Sequence, residues 1–236
     1  FSLVKWSLLA RTAGVPVVFV SVGACRISSM LTKLFIAWSL RLALYRSFRD
    51  AESKAIACKF YPKASRDPIV PDLAFFAKPA QISDLRGSRP PAHGKKVVAI
   101  SPIAFGRSGL WPTEKMGVYK NYVCELATVA DQLIEEGWHI TFVVSSLGDD
   151  ETVIPEVLGQ MRHAASSDFA PCISRPSITS WQDLVAVLQG SDLLIASRLH
   201  SAILGFVSEV PVVAISFDPK VDWVMGDLGL REYLFH

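Results

Sequence analysis

Apolar positions in the second half of the chain alternate between short uninterrupted runs and longer runs at helical spacing. Strands are predicted at residues 97–101, 139–145, 192–196 and 212–216, with a further short one near 172–173. Helices are predicted at residues 119–136, 154–163, 181–189 and 199–208. Gly137 and Gly190 follow two of these helices, as helix stops commonly do. Strands separated by helices predict a parallel sheet covered on both faces.

The first half of the chain has a less regular pattern. Residues 1–13 are predicted to end a helix, and residues 17–22 to form a short buried strand that leads into Gly23. Residues 28–46 have the spacing of one amphipathic helix, whose aromatic stripe we assign to core packing. Asp50 is expected to cap a further helix that starts within 49–53.

A connection rich in glycine and proline separates the two halves. Residues 81–96 hold Gly87, Pro90, Pro91 and Gly94 among polar residues, which is typical of an exposed linker. We therefore predict an N-terminal domain over 1–86, a linker over 87–96 and a C-terminal domain over 97–236. The chain begins at Phe1 without an initiator methionine, and we interpret it as a fragment that lacks the start of the first domain and the end of the second.

Composition narrows the functional classes. The chain is 50% apolar and 19% charged, as expected for a globular core, and its formal charge of +2 gives no long-range field for nucleic acid. The four cysteines show neither a CxxC motif nor metal-ligand spacing, so no metal site is predicted. Lys5, Arg11, Gly14 and Pro16 interrupt the first apolar stretch, so neither a transmembrane segment nor a signal peptide is expected.

The strongest chemical candidates lie where a predicted strand ends. Ligands of open parallel sheets bind at the carboxyl ends of the strands, which selects the loops after residues 22, 100, 144, 196 and 215. Ser197, Arg198 and His200 lie between one such strand and the next helix. An arginine at a helix N-terminus can hold a carboxylate or phosphate, and a histidine can exchange protons near neutral pH. A histidine alone at this position is better explained by capping or core packing.

Two other loops hold weaker candidates. Asp218 and Lys220 follow the strand at 212–216, but an Asp-Pro-Lys turn in isolation is more often only a turn. Arg107 follows the strand at 97–101 in a loop with two glycines, where a surface arginine is an equally good explanation. Tyr119 and Trp111 have the chemistry to stack on a sugar ring, and core packing explains them equally well.

These segments together resemble the polysaccharide pyruvyl transferase family. The specific similarity lies in Ser197-Arg198-Leu199-His200, in the strand at 210–216, in Phe217-Asp218-Pro219-Lys220 and in Asp227-Leu228-Gly229-Leu230. Looser similarity covers 21–24, 49–53 and 71–76. The resemblance implies an α/β, GT-B-like fold of two Rossmann-like halves with parallel sheets, of which the N-terminal half is incomplete here.

The resemblance also implies an activity, the transfer of the pyruvyl group of phosphoenolpyruvate to a sugar of a cell-surface or exopolysaccharide precursor, which forms a pyruvate ketal. His200 is the implied general acid/base, Arg198 the anchor of the donor's carboxylate or phosphate, and Asp218 a weaker candidate for orienting a hydroxyl or the imidazole. The other predicted substrate-binding residues are Ser197, Leu199, Lys220 and Arg107 on the donor side and Gly23 on the acceptor side.

The implied scheme needs no metal and no cofactor, because phosphoenolpyruvate is a donor substrate. The acceptor is expected to be a saccharide or a lipid-linked saccharide. The expected location is the cytoplasm, with the inner face of the membrane as an alternative, and homo-oligomerisation stays open.

Two other hypotheses remain. One is a GT-B glycosyltransferase or sugar epimerase that uses a nucleotide sugar, because Glu209 ends the helix at 199–208, where such enzymes often hold a ribose. The other is an inactive binding or assembly module of a polysaccharide-synthesis complex. The presence of both Arg198 and His200 argues against it.

Overall fold

The computed structural model describes residues 2–25, 27–77, 94–107, 115–146 and 148–236. The chain divides into two compact units, residues 1–76 and 77–236. The predicted boundary at residue 86, most of the predicted linker, Gly109 and Trp111 fall outside the described residues, so the predicted domain bounds stay a prediction.

The N-terminal unit is built around two parallel strands. Its elements are α1 (Ser2–Thr12), β1 (Val18–Val22), α2 (Met30–Leu42), β2 (Tyr45–Phe48) and α3 (Ala51–Cys58), followed by 3-10 turns at Pro62–Arg66 and Leu73–Phe76. Asp50 Oδ1 accepts a hydrogen bond from the backbone N–H of Ser53 at 2.6 Å, as the predicted N-cap of α3 should.

Three expectations for this unit are wrong. The first strand was expected to be buried, but Val18 and Val20 of β1 are exposed. The single helix expected over 28–46 ends at Leu42, because Tyr45–Phe48 pairs with β1 as a strand. The apolar stripe of that helix is not packed in a core among the described residues, since Leu31, Leu34 and Trp38 are exposed. The local core consists instead of Leu40, Phe48, Ala57 and Ala64.

The C-terminal unit contains a six-stranded parallel sheet in the order β5-β4-β3-β6-β7-β8. The strands are β3 (Val97–Ser101), β4 (His139–Phe142), β5 (Ile173–Ser174), β6 (Leu193–Ala196), β7 (Val212–Ile215) and β8 (Leu234–Phe235). The helices are α4 (Met116–Glu135), α5 (Val153–Gln160), α6 (Trp181–Gln189), α7 (Leu199–Val207) and α8 (Pro219–Asp227). The predicted parallel sheet is confirmed.

The central strands explain the uninterrupted apolar runs in the sequence. Every residue of β3 and β4 is buried, as expected for a parallel sheet that helices cover. The fit of α7 is especially tight, because a Cβ at Gly205 would lie 2.6 Å from Leu194 Cδ2 and 2.8 Å from Val212 Cγ2. This contact fixes the height of α7 above the sheet, and with it the residues of its first turn.

The order of the strands reverses in the middle of the sheet. The chain proceeds outward from β3 through β4 to β5, then returns to β6 beside β3 and proceeds outward to β8. β3 and β6 are paired up to Ser101 and Ala196. In doubly wound sheets, the crevice at the carboxyl ends of two such strands is where ligands bind. The loops after β3 and β6 therefore define the candidate site.

Candidate functional site

A chain of hydroxyl groups joins the loops at the switch point of the sheet. The backbone N–H of Ser197 donates to the Ser101 carbonyl at 3.0 Å. The Oγ atoms of Ser101 and Ser201 lie 2.7 Å apart, and Ser201 Oγ donates to Ser145 Oγ at 2.8 Å. Ser101 and Ser201 are completely buried. These bonds tie β3, β6, the start of α7 and the loop after β4 into one fixed floor.

Arg198 projects from the end of β6 and binds a buried carboxylate. Its Nε and Nη2 atoms donate to the two oxygens of Asp150, each at 2.8 Å. The Asp150 side chain is completely buried, whereas the Arg198 side chain is 27% exposed. Asp150 Oδ1 also accepts from the backbone N–H of Ala104 at 3.1 Å. The two parallel bonds set the plane of the guanidinium as well as its position.

Asp150 is a site residue that the sequence analysis missed. It stands in the acidic run Asp149-Asp150-Glu151, which is the ordinary composition of a solvated loop. The available signal was its place in the loop after the β4 region, since that loop lies at the carboxyl edge of the sheet. A buried carboxylate at this edge needs a cationic partner, and Arg198 supplies it.

His200 and Leu199 occupy the first turn of α7 and have different surroundings. Arg198 is the N-cap of α7 but gives no side-chain hydrogen bond to it. His200 is exposed, whereas Leu199 packs against the small cluster of Ala214, Val221 and Met225. Leu199 therefore helps to hold α7 on the sheet, and His200 is the member of the predicted pair that solvent reaches.

Ser197 is held from below by a buried tyrosine. The hydroxyls of Tyr122 and Ser197 lie 2.8 Å apart, and the Tyr122 oxygen accepts from the backbone N–H of Ile103 at 3.2 Å. Burial raises the pKa of Tyr122 above its ordinary value, so this hydroxyl keeps its proton. Phe217 packs edge-on to the Tyr122 ring and stacks on Phe105, with centroids 5.0 Å and 4.7 Å apart.

Arg107 lies after β3 but is engaged by α5. Its Nη2 atom lies 3.0 Å from Glu156 Oε1, and its Nη1 atom donates to the hydroxyl of Thr152. Tyr119 donates to the other oxygen of Glu156 at 2.9 Å and is buried, so packing is the correct explanation for this tyrosine and sugar stacking is not. Burial, and then the bond to Glu156, raise the pKa of Tyr119.

The Asp-Pro-Lys segment begins helix α8. Asp218 is the N-cap: its Oδ1 accepts from the backbone N–H of Lys220 at 3.0 Å, and Pro219 occupies the first turn. Lys220 Nζ lies 3.7 Å from Asp218 Oδ2. The local role of Asp218 is thus a cap of the usual type. Its proposed contact with a hydroxyl or with His200 stays a prediction.

With the exception of Lys220, the residues of this edge lie within a segment that a known family shares. The sequence profile described as polysaccharide pyruvyl transferase matches residues 2–219, which is most of the chain. This chain belongs to the polysaccharide pyruvyl transferase family. No curated protein sequence matches it significantly.

Solved structures of sugar enzymes share the fold of this pyruvyl transferase family member. UDP-GlcNAc 2-epimerase from Methanocaldococcus jannaschii is similar with a TM-score of 0.63 and 9% identity, over 97% of this chain and 62% of that one. The UDP-forming trehalose-phosphate synthase of Burkholderia xenovorans has a TM-score of 0.58 and 12% identity, over 92% and 57%. The predicted GT-B-like α/β fold is therefore confirmed. The chain spans less than two thirds of the length of either structure.

The position of Glu209 weakens the nucleotide-sugar hypothesis for this family member. Glu209 follows the C-terminal end of α7 and has a left-handed backbone, with φ of +59°. Because α7 starts at the carboxyl edge of the sheet and leads back to the start of β7, Glu209 lies at the amino edge. It is thus on the opposite edge from Arg198 and His200, away from the switch-point crevice.

Gly23 belongs to the N-terminal unit and follows β1. A Cβ at this position would lie 2.7 Å from Arg49 Nη2, so glycine leaves room for the guanidinium. Arg49 in turn pairs with Asp72 at 3.1 Å and with Asp50 at 3.3 Å. Gly23 is therefore part of a polar cluster within its own unit.

The described part of the chain lacks both a metal-binding group and a membrane-spanning helix. No group of histidine, cysteine or acidic side chains there could hold a metal ion. No helix there combines the length and the apolar character that crossing a membrane requires.

Proposed function

We propose that the protein transfers the pyruvyl group of phosphoenolpyruvate to a saccharide, with the donor bound in the crevice between the loops after β3 and β6. Membership of the pyruvyl transferase family supports pyruvyl transfer in general. The observation that carries the proposal is the pair of Arg198 and Asp150, which presents a fixed cation at the switch point, within two residues of an exposed histidine.

The donor carries a carboxylate and a phosphate close together, so its site must supply positive charge and N–H donors. Arg198 keeps an exposed edge while Asp150 holds its other side. The N-terminus of α7 adds the positive end of a helix dipole beside it. Lys220 on α8, which is partly exposed, is the second cation of the proposal. Together these groups neutralise the phosphate as it departs.

Arg107 has a smaller part in this proposal than its place after β3 implies. Glu156 and Thr152 hold its guanidinium, so it serves first to fasten the loop after β3 to α5. Its effect on the donor is through the position of that loop, where Ala104 donates to Asp150.

The reaction proposed here requires proton transfer in both directions. A sugar hydroxyl adds to C2 of the enolpyruvyl group while C3 gains a proton, and a second hydroxyl then displaces phosphate from C2. Of the two hydroxyl protons, one balances the proton gained by C3 and the other leaves with the phosphate. His200 is the proposed acid/base, because an imidazole can both give and take a proton near neutral pH. Its exposure places it where a sugar hydroxyl can reach it.

The acceptor is proposed to be a saccharide or lipid-linked saccharide of a cell-surface or exopolysaccharide precursor, used at the cytoplasmic side. The nucleotide-sugar alternative has lost the residue that favoured it, since Glu209 lies at the amino edge of the sheet. The solved structures share the fold with this chain, and the substrates in their names are assigned to those proteins alone.

Thermal unfolding with candidate ligands tests the proposal. The protein is unfolded in buffer alone, with phosphoenolpyruvate, with inorganic phosphate and with UDP-N-acetylglucosamine. A ligand at about 100 times its Kd adds about 2.7 kcal/mol of stability. Stabilisation by phosphoenolpyruvate beyond that of phosphate, followed by formation of a pyruvylated saccharide, is the expected result. Stabilisation by the nucleotide sugar alone overturns the proposal, and ligand binding without any turnover favours the inactive binding module.

A further inference from the structure

Positive charge is concentrated in the first part of the chain. Of the 24 lysines and arginines, seven lie in residues 1–49, and none of the 22 aspartates and glutamates does. Residues 50–236 therefore hold 17 cations against 22 acidic residues. The formal charge of +2 is the sum of +7 on the first segment and −5 on the second. Such an asymmetry favours a negatively charged partner for the first segment.

Four of the seven cations lie on α1 and α2, two helices that pack against each other. They are Lys5, Arg11, Lys33 and Arg41. Within the described ranges none of the four forms an ion pair. Arg46 and Arg49 differ from them, because they pair with Asp67 and Asp72 inside the N-terminal unit. The charges on the two helices therefore remain available to a partner.

The outer face of α2 is apolar. The residues that this helix buries are Ser39 and Leu40. Side chains at spacings of three and four lie on one face of a helix, and the face turned away from the buried residues carries Leu31, Leu34, Trp38 and Arg41. All four are exposed, and Trp38 is 50% exposed. A helix at the surface of a globular domain ordinarily turns its apolar face inward and its polar face outward.

Helix α1 has a similar outer face. Its buried residues are Val4 and Ser7. Trp6 is 66% exposed, and the exposed Leu9 follows it by three residues on the same side of the helix. Lys5 Nζ lies 5.8 Å from the centre of the Trp6 ring. Each of the two packed helices thus has an exposed tryptophan beside a cation.

The chemistry of these faces suits the surface of a bilayer. Tryptophan is enriched where proteins meet lipid headgroups, and lysine and arginine reach the headgroup phosphates while their apolar stems stay below. An amphipathic helix on an anionic bilayer buries its apolar side chains and keeps its cations among the headgroups. Nucleic acid would engage the cations and the rings, but it would leave Leu9, Leu31 and Leu34 exposed to water.

We propose that the outer faces of α1 and α2 bind the surface of a bilayer that contains anionic lipids, with the helices lying along that surface. The charge complementarity rests on the absence of acidic residues from 1–49 and on the unpaired cations of the two helices. The proposal goes beyond pyruvyl transfer and does not depend on it. If the acceptor is linked to a lipid, the contact brings the enzyme to the surface that holds the acceptor.

Sedimentation with lipid vesicles tests the proposal. The protein is mixed, without phosphoenolpyruvate, with vesicles of phosphatidylcholine alone or of phosphatidylcholine and phosphatidylglycerol in equal parts. Binding is expected only to the anionic vesicles, and it should weaken by at least about tenfold at about 1 M salt, where the Debye length falls to about 3 Å. Absence of binding to anionic vesicles, or equal binding to both kinds, would overturn the proposal.

Two substitutions with matched controls locate the contact on α2. Trp38→Gln is expected to weaken vesicle binding by about tenfold to a hundredfold, because it removes a large apolar side chain from the contact. Arg41→Gln should weaken it by about fivefold, the effect of one cation near an anionic surface. The controls are Trp181→Gln and Lys120→Gln, at exposed positions of α6 and α4, and should bind as wild type does. Equal losses in the controls would contradict the assignment to α2.

Stability and oligomeric state test the other occupants of this face. Trp38→Gln is expected to keep the Tm of wild type, since the exposed ring meets lipid only in the bound state. A lower Tm with unchanged vesicle binding would show that another segment of the protein covers the face. Conversion of a wild-type oligomer to monomers, again with unchanged vesicle binding, would show that a second copy covers it. Tighter binding to an RNA or DNA oligonucleotide than to anionic vesicles would assign the cations to nucleic acid. Any of these three results ends the proposal.

Phosphoenolpyruvate distinguishes this inference from the proposed function. If the donor stabilises Trp38→Gln as it does wild type while vesicle binding is lost, both proposals stand. Vesicle binding by a protein that phosphoenolpyruvate never stabilises would keep the bilayer contact and end the pyruvyl transfer proposal. Stabilisation by phosphoenolpyruvate without vesicle binding would keep the donor site and end this inference.

Discussion

Arg198 and Asp150 form an ion pair with two parallel hydrogen bonds of 2.8 Å across the carboxyl edge of the sheet. The carboxylate is completely buried and also holds the loop after β3 through Ala104. Three loops at the switch point thus depend on one side chain. The pair explains how an arginine that reaches solvent can keep a single orientation, which recognition of a planar carboxylate requires.

The first prediction concerns the coupling of this pair. Arg198→Met is expected to lower the free energy of unfolding by about 3–5 kcal/mol, because it leaves the Asp150 charge buried without its partner. The double variant Arg198→Met/Asp150→Leu is expected to recover much of this loss, since neither charge remains. Urea unfolding measures both. If the loss in the double variant equals the sum of the losses in Arg198→Met and Asp150→Leu alone, within about 0.5 kcal/mol, the two side chains are not coupled. Neither variant is expected to respond to phosphoenolpyruvate.

The second prediction concerns His200. His200→Ala is expected to reduce turnover by about 10²–10⁴-fold while phosphoenolpyruvate still stabilises the protein, because the imidazole moves protons and Arg198 holds the donor. Its Tm is expected to stay unchanged, since the side chain is exposed. His163 follows α5 at the amino edge of the sheet, so His163→Ala is the matched control and should keep its turnover. Wild-type turnover in His200→Ala would remove it from the mechanism.

The third prediction concerns the hydroxyl below Ser197. Tyr122→Phe keeps the ring against Phe217 but leaves the N–H of Ile103 and the Ser197 hydroxyl short of a partner. A loss of about 1–3 kcal/mol in the free energy of unfolding is expected by urea titration. Tyr119→Phe is the control and should cost less, because its partner Glu156 is 39% exposed. Equal losses would mean that the buried hydroxyl of Tyr122 stabilises the fold no more than the hydroxyl of Tyr119 does.

The fourth prediction follows from the pKa of the same tyrosine. Burial raises the pKa of Tyr122 in the folded state, so unfolding releases a proton once the pH exceeds the ordinary tyrosine value of about 10. The contribution of Tyr122 to the free energy of unfolding is fully present below that pH and is lost as the pH rises above it. The free energy of unfolding of wild type should fall more steeply between about pH 10 and 11 than that of Tyr122→Phe. Parallel curves would contradict the assignment.

The four central strands of the C-terminal sheet, β3, β4, β6 and β7, could be predicted because each is a mainly apolar run that a helix follows. The same rule led from Ala196 to Arg198 and His200, which do lie at the carboxyl edge. In the N-terminal unit the spacing of residues 28–46 is compatible with one helix, and only pairing of Tyr45–Phe48 with β1 decides for a strand. Nothing local in the sequence carries that information, since the two strands are far apart in the chain.

The partners of the candidate side chains could not be predicted for the same reason. Asp150 lies 48 positions from Arg198, and its burial depends on the packing of three loops. Arg107 and Asp218 lie after the carboxyl ends of β3 and β7, but their contacts, with Glu156 and with the start of α8, are local ones. The sequence pattern thus predicts that these residues lie at the carboxyl edge of the sheet. Tertiary contacts decide which of their charges remain available to a ligand.

The last prediction tests whether the height of α7 above the sheet controls the site. Gly205→Ala would bring a Cβ to 2.6 Å from Leu194 and 2.8 Å from Val212, so α7 must shift or the sheet must yield. We expect a loss of about 1–3 kcal/mol on overpacking and a weaker response to phosphoenolpyruvate, because Arg198 and His200 move with the helix. Gly159→Ala on α5 meets open space and should stabilise by about 0.5–1 kcal/mol with an unchanged donor response. If Gly205→Ala loses stability but keeps the wild-type donor response, the first turn of α7 is positioned by Leu199 and the serine floor instead.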